Sequence, residues 1–162
     1  MSFVLDPPHG VNDIQLGVSR TGVVDVLSQY GEVTEFRRGG PGSEPGWQVR
    51  GARIQFFVYC DASGLVNAIE FARPTDPSAE AVTFRGINLF AEPAEAVVVQ
   101  LQEAGVDLVE EENGDAQVAY DFLLAFWRDG DPVGPDGRPL YWASILVARP
   151  GYYAAQNGPG PI

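Results

Sequence analysis

The feature that most constrains this chain is a weak internal duplication. Ile14–Gly31 (IQLGVSRTGVVDVLSQYG) and Ile87–Gly105 (INLFAEPAEAVVVQLQEAG) each open with Ile-x-Leu and run through a Val-rich stretch to a Gly. Leu65–Pro74 (LVNAIEFARP) and Tyr141–Pro150 (YWASILVARP) then correspond as well. A spacing of roughly 75 residues means that one supersecondary unit occurs twice. Each unit is too small for a sturdy core of its own, so the two copies are expected to share one.

Each copy reads as a helix followed by antiparallel strands. In the first, Ser19 is a favourable N-cap for a helix over 19–30, with Val23, Val26, Leu27 and Tyr30 on one face and Gly31 as its stop. In the second, Pro93 opens a helix over 93–104, with Ala94, Val97, Val98 and Leu101 as its apolar face. Segment 52–60 reads as a strand with Ala52, Ile54, Phe56, Val58 and Cys60 as one apolar face, and Arg53, Gln55, Phe57 and Tyr59 on the other. Segments 65–73, 118–128 and 140–149 read as further strands. The expected fold class is α+β: two tandem helix-plus-antiparallel-sheet repeats forming one broad antiparallel sheet, with the helices on one face. The boundaries are a lead-in at 1–12, repeat one at 13–74, a linker at 75–82, repeat two at 83–150 and a loose tail at 151–162.

Leu16-Gly17, Ser19, Val23 and Gly31, followed by strands, resemble the repeat of the beta-lactamase inhibitory protein family and of small outer-membrane assembly lipoproteins. The resemblance implies a curved sheet with helices on one face and a protein-binding role. The inhibitory proteins are secreted and carry disulfides. A lone cysteine cannot form one within the chain, so the resemblance does not carry over their target. Small acidic cytoplasmic immunity proteins of bacteria are a second kindred class.

The composition excludes more than it assigns. The net charge is -12, from 22 acidic and 10 basic residues, and all the basic ones are Arg. Such a surface repels nucleic-acid phosphates and anionic membranes. Residues 75–162 carry fourteen acids and four Arg, against eight and six in residues 1–74. Six acids and no base lie between Glu103 and Asp115. The chain opens without a secretion signal, and a single cysteine suits a reducing cytoplasm.

Catalytic vocabulary is sparse. His9 has no spaced metal partner, and Cys60 reads as a small buried side chain. Loop 129–139 holds Asp129, Asp131, Gly134 and Asp136, but Val133 and Leu140 stand where calcium ligands belong. RRGGPG (37–42) lacks the Lys and helix of a phosphate loop. No cofactor or metal is expected, and the chain reads as a non-enzyme.

The expected binding surface is the outer sheet face, by strand parity, with Phe57, Tyr59, Trp127 and Trp142 as aromatic anchors. Glu110, Glu111, Glu112 and Asp115 form an acidic rim suited to a basic protein partner. The favoured role is an inhibitor or toxin-neutralising immunity protein. Two other readings stand beside it: a carboxylate-based small-ligand or hydrolytic domain, and a structural homodimer.

Overall fold

A computed structural model describes residues 2–39, 42–130 and 132–152. Its elements in chain order are β1 (Ser2–Asp6), β2 (Gly10–Val11), β3 (Ile14–Gln15), α1 (Val24–Leu27), β4 (Glu32–Arg37), β5 (Pro45–Arg50), β6 (Gln55–Cys60) and β7 (Val66–Ala72). There follow β8 (Ala81–Phe84), β9 (Ile87–Asn88), α2 (Ala94–Glu103), β10 (Val109–Glu111), β11 (Ala116–Ala119), β12 (Leu124–Arg128) and β13 (Trp142–Ala148). Two sheets result. The larger has eight antiparallel strands in the order β10-β11-β12-β13-β7-β6-β5-β4; the smaller has the order β3-β2-β1-β8-β9.

The expected α+β repeat with helices on one face is not what forms. Strands make up 43% of the structure and helix 12%, with one substantial helix and a second sheet that the expectation lacked. The helix expected over 19–30 contracts to the single turn α1. Its Ser19 caps nothing in α1 but accepts a hydrogen bond from the Gly22 amide at 2.9 Å, while the α1 N-cap is Val23. Gly22 and the β-branched run Val23-Val24 weaken helix propagation there. α2 does form at its expected place. Pro93 caps it, and Gly105 follows in the left-handed conformation that a helix end favours.

The supposed lead-in is structural. In β1 the alternation buries Phe3 and Leu5, and β1 lies at the centre of the small sheet between β2 and β8. Phe3 meets Phe71 and Phe56 of the large sheet at ring-centroid distances of 5.2 and 5.7 Å. These offset rings join the two sheets across one core. Val97 and Leu101 of α2 enter the same core; each such burial is worth about 1.5–3 kcal/mol.

The strand expected over 118–128 is two. A turn at 120–123 separates β11 from β12, with Leu123 in the left-handed region (φ 55°). No Gly, Pro or Asn marks that turn, and Asp121 is the single polar residue in an otherwise apolar run over 118–127. Strand parity predicts Tyr120, Phe122, Leu124 and Phe126 as core; Leu124 and Phe126 are buried, whereas Tyr120 and Phe122 are half-buried in the turn. Ala52, expected in the core, is exposed ahead of β6. Of the tail, residues 153–162 lie outside the described residues, as does Asp131 of the acidic loop.

The two central strands, β7 and β13, carry the corresponding segments noted above. The Arg73 amide donates to the Ala143 carbonyl at 2.9 Å, and the Arg149 amide to the Asn67 carbonyl at 3.0 Å. Asn67 and Ala143 are also the extra residues of two β-bulges, opposite Tyr59/Cys60 and Trp127/Arg128.

Candidate binding face of the large sheet

Directly opposed residues of antiparallel strands share a face. One such row, Thr34–Gln48–Phe57–Glu70–Leu146–Ala125–Val118–Val109, crosses all eight strands. A neighbouring row runs Ala72–Ser144–Trp127–Ala116–Glu111. The small sheet, α1 and α2 all bury their apolar side chains in the core on the opposite face. The outer face has its own small cluster: Ala68, Leu146, Ala148 and Tyr152, flanked by Tyr59, Leu123 and Trp127. Among the described residues, Tyr152 lies over this cluster from beyond the end of β13.

Phe57, Tyr59 and Trp127 stand on this face, half-buried, as the alternation of β6 and β12 requires. Trp142 does not. It is 0% exposed and lies in the main core, with its ring 5.5 Å from Phe126. The bulge at Ala143 inserts one residue and reverses the alternation, which carries Trp142 to the inner face. The sequence expectation matched Leu146 to Glu70 through the repeat and counted parity back to Ser144 and Trp142 without that extra residue.

The acidic set is divided. Glu111 shares the outer face, two strands from Trp127, and accepts a hydrogen bond from the Tyr120 hydroxyl at 2.8 Å. Glu110 pairs with Gln117 and so projects from the other face, 3.8 Å from Arg138. Glu112 and Asp115 are exposed around a single 3-10 turn at Glu112–Gly114. The rim is therefore Glu111 with Glu112 and Asp115 beyond the sheet edge, and Glu110 faces away.

Three contributors escaped sequence reading. Phe36 lies tilted against Phe57 with centroids 4.8 Å apart; its period-2 relation to Thr34 was the available signal. Tyr152, 5% exposed, folds back over Ala68, Leu146 and Ala148. Arg38 reaches across to it: its Nη1 donates to the Tyr152 hydroxyl at 3.3 Å, and its guanidinium lies 5.0 Å over the Tyr59 ring. The Tyr59 hydroxyl donates to Glu70 Oε1 at 2.5 Å. Burial first, then that bond, holds the Tyr59 hydroxyl far above the ordinary tyrosine range. Burial raises Tyr152 as well, against the pull of Arg38. Both phenols thus stay neutral across physiological pH.

Beside these rings lies a cleft of about 310 Å³, lined by Arg38, Glu44, Tyr59, Cys60, Asn67 and Tyr152 among others. Cys60 is buried, and burial pushes its thiol up to about 11. His9 is exposed in a turn away from the face. Among the described residues, no group of three or more His, Cys, Asp or Glu is placed to hold a metal ion. No described helix is long and apolar enough to cross a membrane.

Comparison with family models, with curated proteins and with solved structures found no match.

Proposed function

We propose that this chain is a non-enzymatic protein-binding module that presents the outer face of its large sheet to a basic protein partner, in the manner of an inhibitor or a toxin-neutralising immunity protein. The observation that carries the reading is the half-buried aromatic group on the outer face, with Phe57 in the row that crosses eight strands and Tyr59 and Trp127 beside it, around Leu146, which lies buried under Tyr152. Aromatic anchors amid small and polar neighbours are the composition of a contact centre, where few residues hold most of the binding energy. The acidic edge supports the charge of the partner. Glu111, Glu112 and Asp115 add a one-sided field that would speed encounter with a basic surface. Trp142 drops out of the contact set, and Phe36 enters it. An unpaired, buried Cys60 suits a reducing cytoplasm.

The test is site-specific photocrosslinking in the cells that make the protein. A photoreactive side chain at 57 or 127 should yield adducts with one basic protein. The same group at Val99, exposed at 52% on α2, should not. Adducts between two copies of this chain, or equal labelling from all three positions, would overturn the reading.

A further inference from the structure

We propose that the cleft between Tyr59 and Tyr152 is a cation-accepting site, which Arg38 fills from within and which an arginine or lysine side chain of a partner takes over on binding. The inference rests on the basic-partner reading above and names the contact that such a partner would make.

The cleft wall is rich in groups that favour a cation. Two neutral phenol rings offer π faces, and Arg38 already lies 5.0 Å over that of Tyr59. Glu44 lines the cleft, and the Glu70 carboxylate sits behind Tyr59, accepting its hydroxyl proton at 2.5 Å. Asn67 supplies the deciding feature. Its Oδ1 is shielded from solvent and has no hydrogen-bond partner. An unsatisfied acceptor calls for a donor, and an ammonium or guanidinium is all donor. A carboxylate ligand would set acceptor against acceptor at that oxygen and like charge against Glu44 and Glu70.

Arg38 behaves as a stand-in. Arg20 and Arg128 also lie over Trp rings, but each has a carboxylate partner, Glu35 at 2.8 Å and Glu95 at 3.1 Å. Arg38 has none within ion-pair range among the described residues, and its side chain is held by the 3.3 Å bond to Tyr152 and its place over the Tyr59 ring. It is exposed and follows directly on edge strand β4. An internal occupant held this lightly can be displaced, and while it stays it lowers apparent affinity by the fraction of time the site is filled.

The probe is Nα-acetyl-arginine methylamide, titrated by NMR into the full chain, with Nα-acetyl-glutamate methylamide as the charge control. Arg38→Gln and Arg38→Ala should each bind the cationic probe about tenfold more tightly than the unaltered protein. The signals of the Asn67 amide and the Tyr59 ring should move. Tyr59→Leu in the Arg38→Gln background should abolish binding, with thermal melts run on every variant to confirm folding. The idea fails if the cationic probe leaves Asn67 and Tyr59 unmoved in both Arg38 variants, or if the anionic probe binds more tightly. Photocrosslinks at 57 and 127 without probe binding would overturn this site alone. Probe binding without crosslinks would uphold the site and overturn the partner reading.

Discussion

Trp127 and Trp142 stand on opposite faces of one hairpin, separated by the single extra residue Ala143. Trp142 fills core space against Phe126, whereas Trp127 flanks the outer cluster. Trp142→Ala should therefore cost about 3–5 kcal/mol of stability, as large aromatic truncations in a core do. Trp127→Ala should cost about 1 kcal/mol, the level of a half-exposed position. Chemical denaturation of the two variants checks the contrast, and equal losses would mean that the bulge does not separate the faces.

Gly31 is required by a close approach. A Cβ built on it would lie 2.4 Å from the Arg50 carbonyl oxygen, where β4 leaves the α1 turn and begins its pairing with β5. Gly31→Ala should destabilise by about 1–3 kcal/mol through forced displacement of backbone. Its denaturation midpoint, compared with that of Gly64→Ala, separates crowding from backbone strain. Gly64 has a left-handed φ but open space around it.

What could be read from the sequence was what keeps period. Ile54, Phe56, Val58 and Cys60 recur at period two, and Arg53 and Gln55 mark the other face, so the buried face of β6 was legible. The Val97–Leu101 face of α2 was legible for the same reason at helical spacing. Trp142 was misplaced because a bulge residue such as Ala143 carries no compositional mark, yet inverts every parity count beyond it. The turn at 120–123 carries only Asp121 as a local mark, within a run whose other residues are apolar. Ser2–Asp6 does alternate, but only Phe3 and Leu5 carry the signal, and their burial depends on a second sheet that no local pattern specifies. Tyr152 could not be assigned to the outer face without knowing that Ala68, Leu146 and Ala148 meet there.

The buried phenols set an alkaline limit. In the unfolded chain a tyrosine titrates near pH ~10. In the folded protein Tyr59 holds its proton to higher pH, by burial and by its bond to Glu70, and Tyr152, Tyr30 and Tyr120 shift in the same direction. Above about pH 10 the unfolded state releases protons that the folded state keeps, so stability should fall with rising pH. Below that value this contribution is fully present. Tyr59→Phe should lose about 1 kcal/mol at neutral pH and flatten the alkaline decline. An unchanged slope in denaturation midpoints would contradict the role given to Tyr59.

Cys60 offers a probe of opening. Its thiol is buried and pushed up to about 11, so little thiolate is present at neutral pH. Alkylation by a neutral maleimide should be slow in the folded protein and accelerate sharply in denaturant, in step with unfolding. Fast labelling under native conditions would show that the β6 end opens locally.

The acidic edge should act on rate more than on affinity. With the protein recovered from photocrosslinking, neutralising Glu111, Glu112 and Asp115 should slow association and reduce its salt dependence, while melts stay unchanged. Neutralising Glu110, which faces away, should matter less. Equal effects from Glu110 and Glu111 would mean that the field acts without regard to face.

The most direct measurement is the equilibrium affinity of Phe57→Ala and Trp127→Ala for that recovered partner, taken beside thermal melts. If the outer face is the contact centre, each truncation should weaken binding by about 2 kcal/mol or more while the folded state persists. Affinity unchanged in both variants would contradict the assignment of this face.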